Sequence, residues 1–211
     1  MQGGIMTNIS WLFFDVGSTL IDETECYNHR IRDAIEGTDI TFEQFNDQRI
    51  FFAKQNLKGD IEAIKFFGLT KTPWHTEDEK PYEETEHVIK TLYDKGYNIG
   101  IIANQSLGTE KRLEDWGLLK YIKLVVASAE EGVAKPDKEI FLRALSRAEC
   151  LPENAVMIGD RIDNDIEPAN RLGMRTIWVR QGFSIYQQPM NEYQKADYII
   201  DRIKDVLEVL K

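Results

Sequence analysis

The chain has 211 residues, 42% of them hydrophobic and 29% charged, enough for one substantial core or for one core with a small accessory domain. A net charge of −10 argues against nonspecific nucleic-acid binding, which needs a basic surface, and no apolar run approaches the roughly 18 to 20 residues that cross a bilayer. The same charge leaves room for a phosphorylated small molecule, because a bound divalent cation inverts the local field.

The opening MQGGIMTNIS lacks a basic segment followed by an apolar one, which reads against a signal peptide and for a cytoplasmic protein; Met6 stands as an alternative start. Next comes "WLFFDVGSTLID", in which four apolar residues run into Asp15, the pattern of a buried strand with a carboxylate at its tip. Cys26 and Cys150 form no CxxC pair and read as free thiols.

Residues 22–80 are too long for a simple crossover. The stretches "ETECYNHRIRDAIEG", "TFEQFNDQRIFFAKQNL" and "DIEAIKFFGL" predict helices, with Phe42, Phe45 and Phe52 on one face of the second. "TKTPWHTEDEKPYEE" is expected to be a polar return linker, with Trp74 packing it against the core and its acids solvated.

A helix is predicted over 82–95 with Val88, Ile89 and Leu92 inward, then strands over 97–104 and 121–128. Phe141, Ala144, Leu145 and Ala148 mark a helix capped by Asp137, and "AVMIGD" a strand ending in Asp160. A helix to Leu172 ended by Gly173, strands over 175–180 and 196–200 and a closing helix over 201–211 complete the chain. Asp163 reads as a helix N-cap.

Strands alternating with helices imply an α/β fold: a Rossmann-like core with a parallel sheet of about five strands flanked by helices, plus a small inserted α-helical cap. Residues 1–21 and 81–211 are expected to form the core and 22–80 the cap. In such a sheet ligands sit beyond the carboxyl ends of the strands, which gathers Asp15, Asn104, Lys135 and Asp160 around one crevice under the insertion. Several carboxylates around one turn, in "GDRIDND", repel one another unless a cation is present, and hard oxygen ligands of this kind suggest Mg²⁺.

In this order, "FFDVGST", "IIANQS", "AKPD" and "GDRIDND" resemble the four motifs of the haloacid dehalogenase superfamily of hydrolases, along nearly the whole chain and with a C1-type helical cap after the first motif. The resemblance implies Asp15 as the nucleophile that attacks phosphorus and Lys135 as the cation that offsets its charge. It implies Asp15, the Gly17 carbonyl, Asp160 and Asp165 as the metal-binding set, Asp163 being less certain. Ser18, Thr19, Asn104 and Gln105 fall where substrate is bound. The implied function is a Mg²⁺-dependent phosphatase acting on a small phosphorylated metabolite, with neither nucleic acid nor membrane as partner.

Two departures stand out. Gly17 replaces the second aspartate of the phosphatase branch, which protonates the leaving oxygen and then activates water; losing such help costs roughly 10² to 10⁴ in rate. Ala103 replaces a hydroxyl residue, with Asn104 or Ser106 as substitutes. Tyr27, Glu25, His29 and His75 are candidate donors from the cap, and Gly17→Asp is expected to raise turnover. Gly17 also reads as a position of unusual φ. The alternatives are a 2-haloacid dehalogenase, whose branch also lacks the second aspartate, phosphonate cleavage through Lys54 or Lys58, and a non-catalytic member that binds a phospho-ligand or a partner.

Overall fold

The computed structural model describes residues 8–211, so Met6 lies outside the described residues. Among these, six strands form one parallel sheet, one more than the five or so expected. They are β1 (Trp11–Phe14), β4 (Asn98–Ala103), β5 (Leu124–Ala127), β6 (Ala155–Gly159), β7 (Arg175–Val179) and β8 (Tyr198–Ile200). Two short strands, β2 (Ile21–Asp22) and β3 (Lys80–Pro81), pair apart from it. The order across the large sheet is β5-β4-β1-β6-β7-β8, with Phe14 opposite Ile101 on one side and Ile158 on the other.

The sheet is buried on both faces, so its central strands are apolar at every position rather than alternating. Leu12, Phe14, Ile99, Ile101, Val156 and Ile158 face one layer, packed with Val88, Ile89 and Leu92 of α4 (Thr85–Asp94). The helices α5 (Thr109–Asp115) and α6 (Ser128–Glu131) follow α4 in the chain. Phe13, Ile102, Val126 and Met157 face the other layer, against Phe141, Ala144 and Leu145 of α7 (Lys138–Arg147) and Ala169 of α8 (Glu167–Leu172). Each fully buried Leu, Ile, Val, Phe or Met among them contributes about 1.5–3 kcal/mol relative to exposure.

The chain leaves β1 through β2 and returns through β3, which pair antiparallel with Ile21 opposite Pro81. Between them stand α1 (Thr24–Ile35), α2 (Phe42–Ala53) and α3 (Gly59–Phe66). They share a small core of Ile31, Phe45, Ala63 and Ile64. A capping box starts α2, Thr41 Oγ1 accepting from the Gln44 amide and Gln44 Oε1 from the Thr41 amide.

Several details differ from the sequence expectation. Of the phenylalanine stripe on α2 only Phe45 is fully buried, while Phe42 is exposed, because the inward face also carries the buried Arg49. Trp74 packs on α1 instead of the core: its ring meets Tyr27 edge-on at 4.9 Å and lies under the Arg30 guanidinium. Within the acidic run Glu79 is buried, accepting a hydrogen bond from Trp74 Nε1. The expected closing helix is a 3-10 turn, Ile203–Asp205, followed by the short α9 (Val206–Val209).

The segment after Asp160 opens with a π-type turn, Ile162–Ile166, before α8, which ends at Gly173 (φ +84°). Asp163 caps nothing there; its carboxylate pairs with the Arg161 guanidinium and accepts from Gln187 Nε2. Asp137 caps α7 as expected, accepting from the Glu139 amide. Cys26 and Cys150 are free, and no helix among the described residues is long and apolar enough to cross a membrane.

Candidate active site

Asp15, Asn104 and Asp160 directly follow β1, β4 and β6, three neighbouring strands, so the parallel sheet delivers all three to one edge. Lys135 comes from the loop before α7 and Asp165 from the turn after β6. The Asp15 amide donates to Ile158 O at 2.9 Å, which carries the sheet's pairing one residue past β1 and fixes the backbone under the carboxylate.

Lys135 Nζ donates to Asp15 Oδ1 at 2.7 Å and to Asp165 Oδ1 at 2.6 Å. Asp165 Oδ2 accepts from the Arg161 amide. Gly159 makes room for it, since a Cβ there would overlap the Asp165 carboxylate. Asp15, Asp160 and Asp165 each offer an oxygen within 4.8 Å of the others, all buried. Burial, then the charges of Asp15 and Asp165, hold the Asp160 carboxyl well above the usual range. Burial likewise pushes Asp165 up to about 6, against the pull of Lys135. Burial alone would lower Lys135, but Asp15 and Asp165 hold its ammonium above the ordinary value.

Three buried carboxylates face one ammonium, and no donor among the described residues reaches the Asp160 carboxylate. A buried anion without a partner is costly, and a divalent cation with oxygen affinity answers both the charge and the free ligand atoms. The donor set therefore fits Mg²⁺, with Asp160 free, Asp15 engaged by Lys135 through Oδ1 alone, and Asp165 engaged by Lys135 and the Arg161 amide.

These groups line a cleft of about 450 Å³ together with Gly17, Ser18, Glu23, Tyr27, Gln105 and Arg161. It adjoins a second space of about 400 Å³ whose wall includes Arg49, Lys58 and Phe183. Arg49 is buried, with its guanidinium 3.2 Å from the Phe183 ring centroid and 4.2 Å from that of Tyr27, and it forms no ion pair among the described residues. Burial pulls it down to about 10.

The model of the haloacid dehalogenase-like hydrolase family matches residues 12–179, from β1 through β7. The chain belongs to that family, and it is a hydrolase.

Among curated members, the glyceraldehyde 3-phosphate phosphatase of Pyrococcus furiosus is 30% identical over 98% of this chain and 95% of its own length. That of Methanopyrus kandleri is 35% identical over 63% of this chain, which spans 57% of that protein. The magnesium-bound HAD-hydrolase YfnB of Bacillus subtilis superposes with a TM-score of 0.72 at 20% identity, covering 97% of this chain and all of that one.

Measured against the family's motifs, the residues divide. Asp15, Lys135, Asp160 and Asp165 come together as expected, and Ser18 lines the cleft. Thr19 is fully buried away from it, its hydroxyl without a partner among the described residues. Asn104 reaches the cleft edge, but both ends of its amide hold the Lys135 backbone, and Gln105 Oε1 is taken by Arg112. Of the candidate proton donors only Tyr27 reaches the cleft. Glu25 bonds Asn28, and His29 and His75 stack on each other at 3.5 Å beside Asp33.

Gly17 is not a position of unusual φ; Ser18 is, at +54°. A side chain at 17 would instead displace Glu23, whose Oε1 lies 2.6 Å from where a Cβ would stand. Sequence reasoning passed over Glu23, which follows Asp22 at the end of β2 and precedes α1. Its only signal was a carboxylate six positions after a glycine that displaces one. Ser18 Oγ donates to Glu23 Oε2 at 2.8 Å. Burial, against that hydrogen bond and aided by the charges of Asp15, Glu79 and Asp60, raises its carboxyl to about 8.

Proposed function

We propose that the chain is a Mg²⁺-dependent phosphohydrolase acting on a small phosphorylated metabolite through an aspartyl-phosphate on Asp15. The observation that carries this is the Asp15 carboxylate, buried at the cleft floor and held by Lys135 Nζ at 2.7 Å beside the unpartnered Asp160. Relatives named as phosphatases, one of them aligned over nearly the whole chain, support the same chemistry.

A carboxylate is a weak nucleophile and already ionised, so it needs in-line positioning and charge neutralisation rather than a base. Lys135 orients Asp15 and offsets its charge and that of the phosphoryl group. Asp15, Asp160, Asp165 and the Gly17 carbonyl are the expected metal set, and a bound Mg²⁺ supplies further neutralisation of the phosphoryl oxygens. Ser18 stands at the cleft wall, its hydroxyl donating to Glu23 Oε2.

We read α1–α3 as a cap, because Tyr27 of α1, Arg49 of α2 and Lys58 just before α3 line the cleft and its adjoining space. Arg49 and Lys58, neither in an ion pair among the described residues, favour an anionic substrate body there. Free cysteines and the acidic surface accord with a cytoplasmic place.

Phosphate release from a panel of phosphorylated metabolites and acyl phosphates, with Mg²⁺ or with a chelator, tests the proposal. Metal-dependent release is expected, and no release from any member would remove it.

A further inference from the structure

The proposed reaction needs a group that gives a proton to the leaving oxygen and later takes one from water, and Gly17 has none to offer. Four carboxylic acids line the cleft: Asp15, Asp160, Asp165 and Glu23. Three of them form the cluster around Lys135. Glu23 is the fourth and has no task in that cluster.

Its placement is specific. A Cβ built on Gly17 would lie 2.6 Å from Glu23 Oε1, 2.8 Å from Oε2 and 2.9 Å from Cδ. The carboxyl group therefore fills the volume into which a side chain at position 17 would grow, though it arrives from the start of α1. Glu23 is 9% exposed, and the Ser18 hydroxyl holds Oε2 at 2.8 Å. Oε1 has no hydrogen-bond partner among the described residues, which leaves one oxygen oriented and free. With glycine at 17 the carboxyl group keeps this position, whereas a side chain there would displace it.

We propose that Glu23 is the proton-transfer group of this site, working from the space that Gly17 vacates. The inference rests on the phosphohydrolase reading above. In the first step an Asp15 oxygen bonds to phosphorus, the ester P–O bond breaks, and the Glu23 carboxyl proton passes to the leaving oxygen, giving alcohol and a Glu23 carboxylate. In the second, that carboxylate takes a proton from water as the water oxygen bonds to phosphorus. The Asp15–phosphorus bond then breaks, releasing inorganic phosphate and restoring both side chains.

The test compares the wild-type chain with Glu23→Gln in Mg²⁺ on an alkyl phosphate and on p-nitrophenyl phosphate, whose leaving group departs without a proton. Since kcat/KM reports the first step, Glu23→Gln is expected to lower it about 10²–10⁴-fold on the alkyl ester and less than about tenfold on the aryl ester. Equal losses on the two, or no loss on the alkyl ester, overturn the proposal. Should Glu23→Gln fail to fold, the double variant Gly17→Asp/Glu23→Ser returns the carboxyl to position 17. It is expected to keep alkyl-ester kcat/KM within about tenfold of wild type, and a larger loss overturns the proposal. The alkyl ester is the best such member of the panel above; a wild-type chain that releases phosphate from no member sinks the phosphohydrolase reading with it, and an active wild type matched by Glu23→Gln sinks Glu23 alone.

Discussion

Asn104 holds Lys135 by its backbone from both sides, Nδ2 donating to the Lys135 carbonyl at 2.9 Å and Oδ1 accepting from its amide at 2.8 Å. The amide side chain thus ties the end of β4 to the loop that carries the site's ammonium. Asn104 is a positioning residue. Asn104→Ala should lower kcat by about 10–100-fold with a smaller change in KM, because a misplaced ammonium costs more in the transition state than in binding. A fall confined to KM would instead make Asn104 a substrate ligand.

Lys135 is enclosed with two carboxylates at 2.7 and 2.6 Å and is almost wholly buried. Removing one partner of such a cluster leaves uncompensated buried charge. Lys135→Met should therefore destabilise the metal-free protein by about 3–5 kcal/mol in urea unfolding. Asp15→Asn removes a negative charge from an acidic cluster, so its fold should survive while turnover drops about 10⁴-fold or more. Near-wild-type turnover in Asp15→Asn would remove it as nucleophile.

Glu23 links pH to stability. Its folded value, about 8, lies above the ordinary 4.5, so the folded state holds the proton more tightly than the unfolded chain. The stability contributed is complete below pH 4.5 and is lost as pH rises through about 8. Glutamine, of the same shape, cannot ionise. With metal chelated, Glu23→Gln should match wild type near pH 5 and exceed it by about 2–4 kcal/mol near pH 9. A difference that does not change between the two pH values would show that the carboxyl is not desolvated as the structure has it.

The parallel sheet and the placement of Asp15 and Asp160 were legible because they rest on local pattern, apolar runs that end in a charged residue at intervals set by the crossovers, whereas Lys135 and Asp165 were reached through the resemblance of "AKPD" and "GDRIDND" to family motifs. Glu23 was not, because its role depends on an overlap in space with Gly17 that no periodicity encodes. The same overlap revises the expected benefit of Gly17→Asp, which would force two carboxyl groups into one volume unless Glu23 is shortened as well. Asn104 and Gln105 looked like substrate contacts because they follow a strand, but their amides are spent on Lys135 and Arg112. On α2 the aromatic spacing suggested an apolar face, whereas the inward turn carries Arg49.

Arg49 provides the test of what enters the cleft. A guanidinium that is 4% exposed, sandwiched by Tyr27 and Phe183 and without an ion pair among the described residues, carries a desolvation cost that the two rings and the charges of Asp60 and Glu23 offset only in part. An anionic group on the substrate would offset it. Arg49→Met keeps much of the apolar volume and removes the charge, so the unliganded protein should be as stable as wild type or more so by thermal unfolding. The same variant should raise KM for the best substrate by about 10–100-fold with kcat changed much less, the pattern of a lost binding contact. A variant that unfolds readily while KM stays put would make Arg49 a packing element of α2 and remove the argument for an anionic substrate body.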